Sequence, residues 1–286
     1  MTTRRDFLAG AATVAAATLL PRDAFGFREP PVRRDRIDRI GLELYTLRSV
    51  MRNDVPGTLE RVAKIGYKDV EFAGYYNLPP EKIRELLDAN GLKSPSVHTA
   101  IELMERDFDA QAAAAKVIGH EILIVPSLNA RALTDTAAWK GIAQRFNALG
   151  KKAHDAGLRF AFHNHAGEGT PMADGAKPYD ILLGETDPAL VDFQMDLYWM
   201  VKSGGDPVAY FNSNPGRFRT VHVKDASAAP ELAMRDVGQG TIDWKRIFAQ
   251  HAKAGIKYYI VENDNPGADP FAAITTSHDY LAKLTF

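Results

Sequence analysis

Cysteine is absent from the 286 residues of the sequence. The chain therefore has no disulfide bond, no thiolate metal ligand and no cysteine nucleophile. A basic block is missing as well: 35 lysines and arginines stand against 36 aspartates and glutamates, and the formal net charge is −1. This balance argues against a nucleic acid as partner. The length is ordinary for a single α/β barrel.

The N-terminus carries a weakly apolar run behind paired arginines, in the stretch "TTRRDFLAGAATVAAATLL" with Arg4 and Arg5. This stretch resembles a twin-arginine export signal, and a small-x-small "AFG" follows it as a cleavage site. The Ala-rich run is short for a membrane-spanning helix. We therefore expect a signal peptide at 1–26, a linker at 27–36 and a single catalytic domain at 37–286. The mature chain is expected to be exported, periplasmic or otherwise extracytoplasmic, and free of the membrane.

Short β-rich runs alternate with helical segments over the rest of the sequence. The eight predicted strands are Arg39–Arg48, Asp69–Tyr76, Ser94–Ala100, Glu121–Ser127, Arg159–His165, Val191–Trp199, Arg219–Asp225 and Tyr258–Asp264. The helical segments between them end at glycines such as Gly66 and Gly157, as helices commonly do. Eight such units predict right-handed βαβ connections and closure into a single (β/α)₈ barrel. No glycine-rich phosphate turn follows the first strand, which argues against a dinucleotide-binding sheet.

Polar side chains at the strand ends follow the two-residue period of a strand. In "RFAFHNH", Phe160 and Phe162 share one face, while His163 and His165 share the other. The same alternation points these further side chains at the barrel axis: Glu43, Glu71, His98, Gln194, Asp196, Tyr198, His222, Lys224 and Glu262. Charged groups there are costly unless they bind a metal, pair or meet solvent. Active sites of such barrels lie at this carboxyl-terminal face.

The last four strands each end in an inward histidine or carboxylate, namely His163, Asp196, His222 and Glu262. Two imidazoles and two carboxylates suit a divalent ion, and their donor atoms do not choose between metals. We expect one such ion, with Mn²⁺ as first choice and Mg²⁺, Co²⁺ or Zn²⁺ as alternatives. The competing interpretation is a network of ion pairs in the mouth of the barrel.

The chain resembles the xylose-isomerase-like barrels of the sugar phosphate isomerase/epimerase family. The resemblance rests on "LELYTLR", "FHNHAGE", "MDLYWMVKSGGDP", "GRFRTVHVKD" and "VGQGTIDWKRIF". It implies a Glu, Asp, His and Glu metal set on the last four strands, which Asp196, His222 and Glu262 match by type. His163 stands where many relatives have Glu, so Glu168 in the following loop is the second candidate for that ligand.

The predicted site suits removal of a proton beside a carbonyl group. A divalent ion that chelates the carbonyl and its neighbouring hydroxyl acidifies the adjacent C–H bond, and a base then yields a metal-stabilised enediolate. His165 is the first candidate base and Glu71 the second. Lys224 is expected to steady the developing oxyanion or to pair with Asp225 or Glu262.

Four side chains are candidates for binding a small sugar. Tyr45, Tyr198 and Trp199 would lie against a sugar face, or serve as ordinary packing of the barrel. His98 would bind a substrate hydroxyl, or make a structural hydrogen bond. The sequence leaves a homo-oligomer open.

Several functions remain open at this point. The first is an isomerase or epimerase of a keto- or aldo-sugar. The second is a lyase or hydrolase that eliminates the aglycone from 3-keto-glycosides, as some members of the family do, and export favours it because free sugar phosphates are scarce outside the cytoplasm. The third is a sugar-binding barrel without turnover. An endonuclease is disfavoured, since Trp199 replaces the histidine expected in "DLYW" and no basic patch is present.

Overall fold

The computed structural model describes residues 35–129 and 133–286. The predicted signal peptide, 1–26, and most of the predicted linker lie outside the described residues. Within the described part of the chain, no helix combines the length and the apolar character needed to cross a membrane.

Eight parallel strands close into a barrel. With the two strands of a separate hairpin, the described residues form ten strands, in chain order β1 (Ile40–Glu43), β2 (Asp69–Phe72), β3 (Lys93–His98), β4 (Ile122–Val125), β5 (Arg159–His163), β6 (Val191–Asp196), β7 (Thr220–Val223), β8 (Asp225–Ala226), β9 (Met234–Arg235) and β10 (Tyr258–Val261). Strands β1 to β7 follow one another around the barrel, and β10 closes it by pairing with both β7 and β1. Strands β8 and β9 form a separate antiparallel hairpin. The predicted (β/α)₈ barrel is confirmed.

Helices surround the barrel. In chain order they are α1 (Arg48–Met51), α2 (Val55–Ile65), α3 (Pro80–Ala89), α4 (Ile101–Arg106), α5 (Phe108–Ile118), α6 (Thr136–Asp155), α7 (Ala166–Gly169), α8 (Pro178–Glu185), α9 (Leu197–Lys202), α10 (Pro207–Ser213), α11 (Trp244–Phe248), α12 (His251–Ala254) and α13 (Pro270–Leu281), with a 3₁₀ turn at Leu44–Leu47. Prolines in the first turn of α2 and α3 and a left-handed Gly255 after α12 fix helix ends as the sequence indicates. Two short helices, α11 and α12, lie between β9 and β10, and Asp243 caps the first of them.

The strands begin within one residue of their predicted starts but end two to five residues earlier than predicted. For β1 and β6 the reason lies in the carboxylates at their ends. Glu43 accepts a hydrogen bond from the main-chain N–H of Tyr45 at 3.0 Å, and Asp196 accepts one from that of Trp199 at 2.9 Å. Each carboxylate thereby starts a helical turn directly after its strand. Tyr198 and Trp199 consequently lie on α9 and not on β6, which corrects the strand alternation applied to Tyr198.

The large apolar core lies between the barrel and the helices, where the outward residues of the strands pack. A small apolar cluster of Ile122, Ile124 and Ala161 lies in the barrel interior. Around and above it the inward side chains are polar, as the strand alternation predicts. Polar side chains buried in a barrel need partners for their hydrogen bonds and charges.

Candidate metal centre and active site

Four inward side chains meet at the carboxyl-terminal ends of β5, β6, β7 and β10. His163, Asp196, His222 and Glu262 each place one possible ligand atom within 4.8 Å of the others, and all four side chains are buried. The structure therefore brings together the four residues that the sequence proposed as a metal site. These four residues form the candidate metal-binding group.

Asp196 gives a reason to expect a cation in this group. Its Oδ1 accepts the hydrogen bond that caps α9, whereas Oδ2 is buried and receives no well-aligned hydrogen bond from any described residue. This Oδ2 lies 3.7 Å from Nε2 of His163. The ammonium of Lys224 is 2.9 Å away but poorly aligned for a hydrogen bond to this oxygen. A divalent ion between Oδ2 and the imidazole nitrogen would bind both atoms. The donor set fits a divalent metal ion.

Lys224 lies inside the same group of carboxylates. Its Nζ is 2.9 Å from Oδ2 of Asp196, 2.5 Å from Oε2 of Glu262 and 3.2 Å from Oδ2 of Asp264. Burial lowers the pKa of Lys224, but the three carboxylates outweigh burial and raise the pKa above its ordinary value. The side chain is an ammonium that offsets their negative charge. The metal site and the ion-pair network that the sequence offered as alternatives thus share the same oxygens.

His222 is held between two carboxylates. Its Nδ1 lies 2.7 Å from Oε2 of Glu262, and its Nε2 lies 2.5 Å from Oε1 of Glu71. Burial lowers the pKa of His222, but these carboxylates outweigh burial and raise the pKa to about 9. The metal-free ring is therefore an imidazolium near neutral pH, and binding of a metal at either nitrogen has to release a proton.

Glu71, the second candidate base, does not line the cavity that opens above the metal-binding group. Its side chain is fully buried and accepts hydrogen bonds from Ser96, Gln194 and His222, with Nε2 of His98 3.1 Å away. Burial raises the pKa of Glu71, but the two histidines outweigh burial and hold the pKa well below its ordinary value. Glu71 therefore anchors the surrounding side chains as a carboxylate.

Glu168, the second candidate for the ligand on β5, is separate from the four-residue group. It lies on α7, where its Oε2 accepts a hydrogen bond from the main-chain N–H of His165 at 2.9 Å. This is the reciprocal bond of a helix capping box. Glu168 thus starts α7, and His163 is the β5 residue in the candidate metal-binding group.

A cavity of about 670 Å³ opens above the metal-binding group. It is lined by Tyr45, Arg48, Ala73, His98, Ala100, Pro126, Ser127, His163, His165, Glu262, Asp264 and Asn265. The ring of His165 lies 4.9 Å from that of His163 and 5.7 Å from that of Trp199, measured between centroids. Burial lowers the pKa of His165, so its imidazole is neutral near neutral pH. A neutral imidazole that lines a cavity beside a metal-binding group is suited to accept a proton.

The aromatic residues proposed for sugar binding differ in position. Tyr45 is 43% exposed at the rim, and the guanidinium of Arg48 lies 4.3 Å above its ring. Trp199 packs behind His165. Tyr198 is buried, and its hydroxyl donates to the carbonyl of Leu232 in the loop between β8 and β9. Of the three, only Tyr45 lines the cavity.

Two inward residues received no role from the sequence. Asp264 lines the cavity and faces Lys224, and it could have been found because it follows Glu262 by two residues. Gln194 had been placed on the inner face, but an amide carries no charge to draw attention to it. Its side chain contacts His98, His163 and Glu71.

Comparison with known proteins places the chain among related barrels. A family model described as xylose isomerase-like TIM barrel matches residues 59–284. An inosose dehydratase of Clostridium beijerinckii is 25% identical over 272 residues, which cover 82% of this chain and 90% of that protein. The rhizopine catabolism protein MocC of Rhizobium meliloti is 25% identical, with coverages of 79% and 80%.

Solved structures show the same barrel. A sugar phosphate isomerase/epimerase of Parabacteroides distasonis is 28% identical, with a TM-score of 0.75 and coverages of 86% and 98%. The IolI protein, whose crystal structure contains a bound zinc atom, is 15% identical with a TM-score of 0.68 and coverages of 85% and 98%. At that identity the likeness to IolI establishes the fold alone.

Proposed function

The chain belongs to the xylose isomerase-like TIM barrel family, and from this premise we propose that it is a metal-dependent lyase acting on a cyclic keto-polyol or keto-sugar. The reaction removes a proton beside the ketone and expels the substituent on the next carbon. The observation that carries the proposal is the neutral imidazole of His165, which lines the cavity beside the candidate metal-binding group. The curated relatives named inosose dehydratase favour elimination over isomerisation.

In this mechanism His163, Asp196, His222 and Glu262 would hold one divalent ion, for which we propose Mn²⁺. When bound, the ion supplies a Lewis acid that polarises the ketone oxygen. His165 takes the proton from the carbon beside the ketone.

Two further side chains contribute to the proposed reaction. One stabilises the developing negative charge, and the other protonates the leaving substituent. The ammonium of Lys224 adds positive charge close to the developing oxyanion. Asp264 lines the same cavity, and burial and the neighbouring Glu262 raise its pKa to about 6, so its protonated carboxyl is our candidate for donating a proton to the leaving oxygen. Removal and return of the proton by two different side chains suits an elimination.

The cavity favours a substrate without a phosphate group. Among the described residues that line it, Arg48 is the one lysine or arginine. Its two terminal nitrogens already donate to the carbonyls of Tyr45 and Asp264, at 3.0 and 2.8 Å. A phosphate would have to displace these bonds, whereas hydroxyl groups can pair with the imidazoles, carboxylates and amide of the lining. An uncharged substrate such as an inosose or a 3-keto-glycoside meets this requirement.

An isomerase or epimerase is the second candidate, because the Parabacteroides distasonis relative carries that name and the same proton abstraction begins both reactions. Metal content of the purified chain is measured by mass spectrometry. The protein is then incubated in D₂O with inososes, ketoses, aldoses and 3-keto-glycosides, and products are followed by NMR. We expect deuterium beside the carbonyl and an unsaturated or dicarbonyl product. An epimer or isomer that keeps every substituent would overturn the lyase, and sugar binding without exchange would indicate a non-catalytic barrel.

We also propose that the chain is exported by the twin-arginine route. Replacement of Arg4 and Arg5 by lysine should keep the full-length chain in the cytoplasm, as cell fractionation and blotting would show. Equal distribution of the wild-type and variant chains would contradict this proposal.

A further inference from the structure

Gln194 lies at the centre of the barrel, two residues before Asp196 on β6, and is fully buried. Its Oε1 is 2.8 Å from Nε2 of His98 and 2.9 Å from Nδ1 of His163. Its Nε2 is 2.8 and 3.0 Å from the two carboxylate oxygens of Glu71 and 3.3 Å from Oγ1 of Thr220. One amide therefore joins the anchoring carboxylate to a candidate metal ligand.

The orientation of this amide follows from what its neighbours can donate. Glu71 is a carboxylate and only accepts hydrogen bonds, so the NH₂ group of Gln194 has to face it. The amide oxygen then faces the two histidines, and because it only accepts, each facing ring nitrogen has to carry a hydrogen. His163 is consequently protonated on Nδ1.

Neutral imidazole carries one ring hydrogen, so Nδ1–H leaves Nε2 with a free lone pair. This Nε2 is the atom of His163 that lies 3.7 Å from Oδ2 of Asp196, in the candidate metal-binding group. A histidine that binds a metal through one nitrogen generally donates from the other to a fixed acceptor, which selects its tautomer. The amide oxygen of Gln194 is such an acceptor.

We propose that Gln194 is a positioning residue that fixes the tautomer of His163, so that Nε2 is the nitrogen available to the metal ion. Glu71 holds the amide, the amide holds the Nδ1–H group, and the ring then presents Nε2. The inference rests on the proposed metal site and is independent of the reaction that the site carries out.

The first test is the tautomer of His163 in the metal-free protein. Protein labelled with ¹⁵N at histidine is examined by long-range ¹H–¹⁵N NMR, and the His163 signals are assigned by their loss in His163→Asn. We expect Nδ1 at a protonated shift and Nε2 at an unprotonated shift in the wild-type protein. In Gln194→Leu, which removes the acceptor, we expect a mixture of tautomers or the Nε2–H form.

The second test is the affinity for Mn²⁺ and for Zn²⁺, measured by calorimetric titration of the same proteins. Loss of a partner that orients a metal ligand typically weakens binding roughly 10- to 100-fold, and we expect that range for Gln194→Leu. Thr186→Val is the matched control. Thr186 is also buried and hydrogen-bonded, to Leu182 and Arg217, but it lies after α8 and outside the candidate metal-binding group. In Thr186→Val, the affinity for both metal ions and the tautomer of His163 should be unchanged.

The outcomes separate this inference from the proposed function. An Nε2–H tautomer in the wild-type protein would overturn the inference even if every Gln194 variant failed to fold. Unchanged tautomer and affinity in Gln194→Leu would overturn it as well, while elimination by the wild-type enzyme could still be observed. If tautomer and affinity respond but no substrate is turned over, the inference holds and the proposed lyase activity fails.

Discussion

At the scale of single residues, the two histidines at the end of β5 differ in their surroundings. His163 is buried and tied to Gln194, with Nε2 directed into the candidate metal-binding group. His165 follows the strand and lines the cavity. Burial lowers the pKa of both rings, so each is a neutral base. We therefore assign metal binding to His163 and proton transfer to His165.

This assignment predicts opposite results for two substitutions. His165→Asn should lower turnover roughly 10²- to 10⁴-fold, the usual contribution of a general base, with metal content unchanged. His163→Asn should lose most of its bound metal. Turnover is followed by NMR and metal by mass spectrometry on the same samples. A His165→Asn variant with full turnover would exclude His165 as the base.

A second residue-scale prediction concerns acid stability and His120, which is buried with Nδ1 2.9 Å from the carbonyl of Ser94. Burial lowers the pKa of His120 to about 4 from an ordinary value of 6.5. The unfolded chain therefore binds this proton first, and stability is lost as pH falls from 6.5 towards 4. By pH 5 the loss amounts to about 2 kcal/mol.

The measurement is the free energy of unfolding in urea at pH 7 and pH 5. His120→Asn should lose about 2 kcal/mol less than the wild-type protein across this interval. His154→Asn is the control, because His154 is exposed on α6. Equal losses for the wild-type protein and His120→Asn would show that His120 does not titrate as described.

At the scale of secondary-structure elements, the sequence predicted strand starts better than strand ends. Apolar alternation continues past β1 and β6 through Leu44 and Leu197, so the pattern alone extends both strands. The chain turns there because Glu43 and Asp196 each cap the next helical turn. Whether an inward carboxylate also accepts a main-chain N–H depends on the path of the following residues. That path comes from tertiary packing and is not encoded by the strand period.

The same limit explains which site residues could be predicted. The four candidate ligands lie at or directly beside strand ends, where alternation still holds, and they meet as expected. Glu168 and Tyr198 lie beyond the strands, on α7 and α9, where capping and helix geometry decide their direction. Gln194 was placed correctly, but its role depends on contacts between three strands that no single stretch of sequence contains.

The loop that follows the β8–β9 hairpin is organised around one buried carboxylate. Asp225 accepts hydrogen bonds from the main-chain N–H groups of Gly238, Gly240 and Ile242 and from the indole of Trp244, at 2.9 to 3.2 Å. These bonds connect β8 to the start of α11. The loop thus depends on a side chain that accepts hydrogen bonds from four donors.

Asp225→Asn should therefore destabilise the protein by about 3 kcal/mol, because the amide NH₂ meets donors and the charge-assisted bonds are lost. Urea unfolding measures the change. Asp243→Asn is the matched control, since Asp243 caps α11 close to the same loop and asparagine is an equally good cap. A change below about 0.5 kcal/mol in Asp225→Asn would contradict this account.

At the scale of the whole molecule, the two ends of the barrel handle buried charge differently. At the amino-terminal end, each of two inward carboxylates has its own arginine. Nη2 of Arg39 lies 2.5 Å from Oδ1 of Asp69, and Nη2 of Arg159 donates to Oδ1 of Asp192 at 2.7 Å. At the carboxyl-terminal end, Lys224 is shared among three carboxylates. The charges of the arginine–aspartate pairs balance, whereas the carboxylates around Lys224 keep negative charge that a metal ion can neutralise.

This difference predicts how stability depends on the metal. Metal-free wild-type protein should remain folded, because Lys224 compensates Asp196, Glu262 and Asp264. Removing that partner leaves buried carboxylates unpaired, which typically costs about 3–5 kcal/mol. Metal-free Lys224→Met should therefore melt on the order of 10 °C below the wild-type protein. Lys202→Met is the control, since among the described residues Lys202 contacts Tyr198 and Leu232 and pairs with no carboxylate.

Added metal should then stabilise the variant more than the wild-type protein. At a free metal concentration of about 100 Kd the expected gain is about 2.7 kcal/mol for either protein. At one fixed concentration, however, the variant binds more tightly because no ammonium competes for Asp196 and Glu262. Melting is followed by circular dichroism in EDTA and at a series of Mn²⁺ concentrations. If the two proteins melt together in EDTA, or if Mn²⁺ raises the melting temperature of the wild-type protein more, then Lys224 does not substitute for the metal charge.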